Sequence, residues 1–167
     1  MFRVHKSDIP PASLVNAYQG KSCERIDCYR AFVDGPTNIE NFVGRFYRGR
    51  LFRIERAMIS LVTKHKSSDA QLDALLFGNS KRFSAWTQSG RTKNQLIMCD
   101  YQDRTCSWFM VEPYKTGTYL YFGTIFKRTN YFGGLEWLSK PLFTLLLPVH
   151  GLYSRLLLGA AARTAEM

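Results

Sequence analysis

The sequence predicts an α+β domain: a curved antiparallel sheet, with helices inserted after the first main strand and a long C-terminal helix packed on the sheet. Two observations carry this. The stretch from Lys81 to Lys127 reads as four consecutive strands, Arg82–Gln88, Lys93–Tyr101, Thr105–Glu112 and Thr118–Lys127, rich in aromatic and β-branched residues and separated by short turn-forming segments. The chain on either side of it has apolar residues at helical spacing. Each element must bury one face against another, and a sheet curled around the last helix satisfies that requirement.

Taken in order, Phe2–His5 reads as an edge strand, Ile9-Pro10-Pro11 as a rigid turn and Ala12–Tyr18 as a helical turn or two. Ile26–Val33 reads as a strand, closed by Asp34-Gly35 and Pro36. Thr37 with Glu40 forms a capping-box pattern, and Ile39, Phe42, Val43, Phe46 and Tyr47 fall at i, i+3, i+4, i+7 and i+8 of a helix ended by Gly49. A second helix is expected from Arg50 to about Thr63, with Leu51, Ile54, Met58, Leu61 and Val62 as its stripe. Ser68 with Gln71 marks a third, short helix with Leu72, Leu75 and Leu76 on its buried side, ended by Gly78-Asn79. After the sheet, Tyr131-Phe132-Gly133-Gly134 leads into a helix from about Leu135 to Arg163. That helix is expected to bend at Pro148 and to bury Leu142, Leu145, Leu146, Val149, Leu152, Tyr153 and Leu156.

At 167 residues the chain reads as a single domain, 1–167, long enough to build a core without metal or disulfide. With 46% hydrophobic and 22% charged residues it is too apolar to be disordered, and its 14% aromatic content leaves rings to spare for a pocket. The net charge of +10 favours polyanionic partners or an anionic membrane surface, and equally keeps a protein soluble. Part of that charge is local: Arg45, Arg48, Arg50, Arg53, Arg56, Lys64 and Lys66 stand against Glu40 and Glu55. Nucleic-acid binding rests on charge and aromatics alone. Cys23, Cys28, Cys99 and Cys106 show no C-x-x-C spacing and the three histidines lie far apart, so no zinc site and no cofactor is expected. The N-terminus lacks an apolar signal core, which predicts reduced cysteines and a cytoplasmic protein. The longest uncharged run, Pro141 to Ser154, is shorter than the roughly 18 apolar residues of a membrane span. No GxGxxG, GK[ST] loop or nucleophile elbow supports nucleotide-dependent or hydrolase chemistry.

Several stretches carry a resemblance: Asp27-Cys28-Tyr29, Leu51-Phe52-Arg53-Ile54-Glu55-Arg56, Ser68-Asp69-Ala70-Gln71, Phe83-Ser84-Ala85-Trp86, Gln95-Leu96-Ile97-Met98, Ser107-Trp108-Phe109-Met110-Val111, Leu120-Tyr121-Phe122-Gly123 and His150-Gly151-Leu152-Tyr153-Ser154. They are similar to an uncharacterised bacterial family known as a domain of unknown function, which brings no activity with it. The order of elements also resembles the START-like helix-grip fold. That resemblance implies a hydrophobic ligand held between curved sheet and C-terminal helix.

Glu55 interrupts an apolar stripe with no arginine three or four residues away, so it needs a partner from elsewhere or meets a ligand. Arg45, Arg48 or an arginine of the sheet would serve as that partner. His150, with Tyr153 one turn on, could present a proton-transfer pair to a cavity, or simply pack. Trp86, Trp108, Tyr119 and Tyr121 lie on the strands as cavity-lining or core aromatics. The expected function is binding of a small, largely apolar molecule, with Glu55, Trp86, Trp108, Tyr121, His150 and Tyr153 as ligand contacts. One alternative is a cofactor-free proton-transfer enzyme, with Glu55 or His150 as base and Tyr153 as donor. Another is a non-catalytic protein docking on an anionic membrane surface or a protein partner.

Overall fold

The computed structural model describes residues 4–20, 23–54, 68–127 and 136–163, with backbone alone for 136–148. Eight strands form one antiparallel, open, curved sheet: β1 (His5–Lys6), β2 (Cys23–Ile26), β3 (Tyr29–Asp34), β4 (Arg82–Phe83), β5 (Trp86–Arg91), β6 (Gln95–Asp100), β7 (Thr105–Tyr114) and β8 (Gly117–Lys127). Their order is β1-β3-β8-β7-β6-β5-β4, with β2 pairing β8 beyond the end of β3. The helices are α1 (Ile39–Arg48), α2 (Asp69–Leu76) and α3 (Glu136–Arg163). The predicted α+β architecture is the observed one. Residues 50–54 are also helical, and the remainder of the expected second helix lies outside the described residues.

Two predicted strands are each divided. Arg82–Gln88 reverses on itself at Ser84-Ala85, where Ser84 takes a positive φ of 53°, so that Phe83 pairs with Trp86. Both rings thereby enter the same core. Ile26–Val33 is interrupted at Asp27-Cys28: Ile26 pairs with Ile125 and Tyr29 with Phe122, while between them the Asp27 side chain takes over a backbone group of β8. Gly123 permits that close approach, because a Cβ there would overlap the Asp27 carbonyl oxygen and lie 3.1 Å from Trp108 Cε3.

Both faces of the sheet are covered by the chain itself. On one, α1 buries Ile39, Phe42, Val43, Phe46 and Tyr47, as its spacing predicts, and α2 buries Leu72, Leu75 and Leu76. Ring contacts fill this layer: Phe46 lies 4.9 Å from Phe109 and 4.7 Å from Phe122. Arg91 fastens the pair of helices, donating to the Leu75 and Leu76 carbonyls that end α2 and to Glu40 on α1. The other face carries Ile97, Trp108, Met110, Tyr121 and Ile125, covered by Ile9, Leu14, Val15 and Tyr18 of the N-terminal segment. Gln95 clamps that segment down: its amide accepts from Leu14 N–H at 2.8 Å and Trp108 Nε1 at 3.1 Å, and donates to the Ala12 carbonyl at 3.0 Å.

Three sequence expectations need correction. Asn38, not Thr37, caps α1 by accepting from Asn41 N–H at 2.8 Å; Thr37 is engaged with Thr118 instead, and the Ser68–Gln71 box forms as expected. On α3 part of the expected stripe is turned away from the sheet: Val149, Leu152 and Leu156 are exposed, Tyr153 packs against the core, and Ser154, Leu157, Leu158, Ala161 and Ala162 are buried, while the side chains of Leu142, Leu145 and Leu146 lie outside the described residues. The helix lies close over β3, and small residues suit that approach. Finally, Cys99 and Cys106, expected as thiols, form a disulfide, because the β6–β7 register sets them directly opposite. Cys23 and Cys28 are not disulfide-bonded. No described helix is long and apolar enough to cross a membrane.

Candidate functional site

The interruption at Asp27 is what builds the site. A carboxylate inside a strand has no place in the backbone ladder unless it substitutes for one, and Asp27 Oδ1 does so by accepting from Thr124 N–H at 2.7 Å. Its other oxygen, Oδ2, then lies 3.7 Å from His150 Nε2 on α3. The same nitrogen is 3.1 Å from Thr124 Oγ1 and 3.3 Å from Ser154 Oγ, one turn further along the helix. The Phe126 ring meets the imidazole edge-on at 4.9 Å. Gly151, next on the helix, leaves room for the Tyr29 hydroxyl, which would stand 2.8 Å from a Cβ at that position. Arg155 lies over the Tyr29 ring.

Burial differs sharply across the pair. The Asp27 side chain is 4% exposed and that of His150 32%. Burial raises the Asp27 carboxyl above its ordinary value, against the lowering effects of the Thr124 N–H and of His150. Burial also lowers His150, against the pull of Asp27. Both shifts favour the neutral forms and bring the two groups' proton affinities closer together than in the free side chains. Tyr29 is raised as well, first by burial and then by Asp27.

Aspartate, histidine and serine together invite comparison with a nucleophilic triad, but the geometry is different. A triad sets carboxylate and nucleophile on opposite ring nitrogens. Here Asp27, Thr124 and Ser154 all meet Nε2, and among the described residues none hydrogen-bonds Nδ1. Nε2 is thus the ring nitrogen engaged by the protein, and Nδ1 is the one with no hydrogen-bond partner among the described residues. The arrangement suits general acid–base work on a molecule approaching the exposed edge of the ring.

The residues predicted from sequence are only partly gathered here. His150 is at the centre. Tyr153, one turn along α3, packs against the helix-side core. Trp86 shares that face but belongs to β5, three strands from β8 and so roughly 14 Å across the sheet. It is packed against Tyr47, Phe52 and Phe83. Trp108 and Tyr121 are on the opposite face, where Tyr121 donates to Glu112 at 2.7 Å and its hydroxyl is pushed up to about 12, mainly by burial. Glu55 lies outside the described residues. Asp27, Thr124 and Ser154 were missed, although a carboxylate between Ile26 and Cys28-Tyr29 was the same kind of signal that singled out Glu55. Asp27 also lines a cleft of about 700 Å³ with Lys6, Asp8, Gln19, Glu24 and Arg25.

Fold and site together make this an α+β protein with an aspartate–histidine pair seated where the C-terminal helix crosses the sheet. Comparison of the chain with protein-family models, with curated proteins and with solved structures finds no match.

Proposed function

We propose that the protein binds a small, largely apolar molecule carrying one polar, enolisable head, and moves a proton on that head through His150. The single observation supporting this is the paired Asp27–His150 contact, with the carboxylate buried and the imidazole reaching solvent. A purely packing histidine does not require a buried carboxylate partner, and a buried carboxylate is costly without a task or a strong compensating pair. Phe126, Tyr29 and Tyr153 supply the apolar surroundings. Asp27 is the positioning residue and His150 the base; no metal or organic cofactor enters the step. The helix-grip resemblance of the sequence is consistent with a ligand held on this side of the sheet.

The test is deuterium incorporation from D₂O into a panel of enolisable ketones and thioesters, followed by ¹H NMR. Wild-type protein should accelerate exchange of at least one member, and His150→Gln should lose that acceleration by about 10²–10⁴-fold while keeping its thermal unfolding profile. Equal exchange with wild type and His150→Gln across the panel would remove the proton-transfer reading.

A further inference from the structure

The solvent face of α3 has a composition that the proton-transfer site does not account for. Val149, Leu152 and Leu156 are 64%, 59% and 51% exposed, at i, i+3 and i+7 of the helix. One exposed leucine needs no explanation, but three apolar side chains on successive turns form a stripe. It is distinct from the face that packs on the sheet: Ser154 and Leu158 are buried, and two residues of helix amount to a rotation of about 200°. So α3 has apolar residues on both sides and described protein on one.

Charge indicates what the other side meets. From Trp137 to Ala165 the sequence has no acidic residue, and its charged side chains are Lys140, Arg155 and Arg163. Arg155 and Arg163 are exposed, beside and beyond the stripe. The whole chain carries +10. A second copy would bring two faces of the same positive sign together, whereas an anionic lipid surface complements both the arginines and the leucines. We propose that the outer face of α3 docks on an anionic lipid bilayer, the helix lying along the interface with Val149, Leu152 and Leu156 in the headgroup–acyl boundary. The helix does not cross the bilayer, in keeping with its hydropathy. This surface is independent of the His150 chemistry, although it brings the site on the same helix close to the source of any apolar ligand.

The experiment is vesicle flotation of the full chain with phosphatidylcholine alone and with phosphatidylcholine mixed with phosphatidylglycerol. Wild type should float with the anionic vesicles, not the neutral ones, and lose binding as salt is raised through the range where the screening length falls below about 8 Å. The double variant Leu152→Glu/Leu156→Glu should bind at least about 10-fold more weakly with an unchanged unfolding temperature. Phe77→Glu, which removes an exposed ring at the end of α2, should bind as wild type. Failure of wild type to float with anionic vesicles, or undiminished flotation of the double variant, would overturn the proposal. A dimer in sedimentation that the double variant abolishes, without flotation of wild type, would assign the face to self-association instead.

Discussion

Replacing Gly123 by Ala tests whether the backbone approach at Asp27 builds the site. The added methyl carbon would sit 3.1 Å from Trp108 Cε3 and overlap the Asp27 carbonyl oxygen. Separations of about 3.5 Å are normal for such pairs, so the Asp27 backbone must retreat by roughly 1 Å. Neither neighbour is the free end of a flexible side chain: one is main chain, and the other is an indole that is fully buried. Overpacking of this kind costs about 1–3 kcal/mol. For a chain of this length each kcal/mol lowers the unfolding temperature by about 2–4 °C, which predicts a fall of about 2–12 °C. The retreat also draws Oδ2 away from His150, leaving burial less opposed, so the imidazole should titrate lower still. Thermal unfolding followed by circular dichroism reads the first effect, and the His150 ring proton in an NMR titration reads the second. Gly90→Ala is the control, since a Cβ there meets nothing closer than 3.6 Å. A Gly123→Ala protein that melts with the Gly90→Ala control and titrates like wild type would refute the reasoning.

Three further outcomes follow from the geometry. Gln95→Leu strips the Trp108 indole, the Leu14 N–H and the Ala12 carbonyl of one partner at once, and at about 1–3 kcal/mol for a buried orphan and less for the two half-buried groups it should destabilise by about 2–5 kcal/mol in urea unfolding. His150 is held below its ordinary 6.5, so the unfolded chain takes the proton first and stability falls as pH drops through the window below 6.5. Asp27, held above 3.8, has the opposite effect, with stability falling as pH rises through the window just above 3.8. Urea melts across pH should therefore lose the first slope in His150→Gln and the second in Asp27→Asn. Leu158→Ala should cost about 2–5 kcal/mol and Leu152→Ala less than about 0.5, a contrast in melting temperature that reverses if the helix is seated on its other face.

What the sequence showed was what is encoded locally. The Ser68–Gln71 box and the buried face of α1 depend on residues three and four apart, and both are found as predicted. At the start of α1 the same logic slipped by one position, because Thr37 and Asn38 are both good caps and only the distant Thr118 decides between them. The phase of α3 was illegible for a related reason: with leucines nearly all round, periodicity does not single out a face, and the informative residues were the small ones at 154, 161 and 162. Asp27 was hidden inside an otherwise apolar strand, and its partner lies 123 positions away, as the difference between 150 and 27 shows. Cys99 and Cys106 likewise became partners through register and not through any spacing motif. Trp108 and Tyr121 were grouped with His150 because the sheet's two faces are both apolar, and alternation alone cannot assign them.

β8 carries a consequence for how the chain is made. It sits between β3 and β7 and also receives β2, so the strands written first in the sequence have no neighbour on that side until Gly117–Lys127 exists. On the ribosome, at about 5–20 residues per second, residues 23–34 wait on the order of 5–20 s for that strand, and longer for the helix that covers them. The meander β4–β7, by contrast, pairs each strand with the one just finished. Synthesis therefore favours a nucleus in the middle of the gene, with the N-terminal segment as a late-arriving piece. A chain stalled before residue 117 would present β3 unpaired on that side, open to capture by a chaperone or by the same strand of a neighbouring nascent chain.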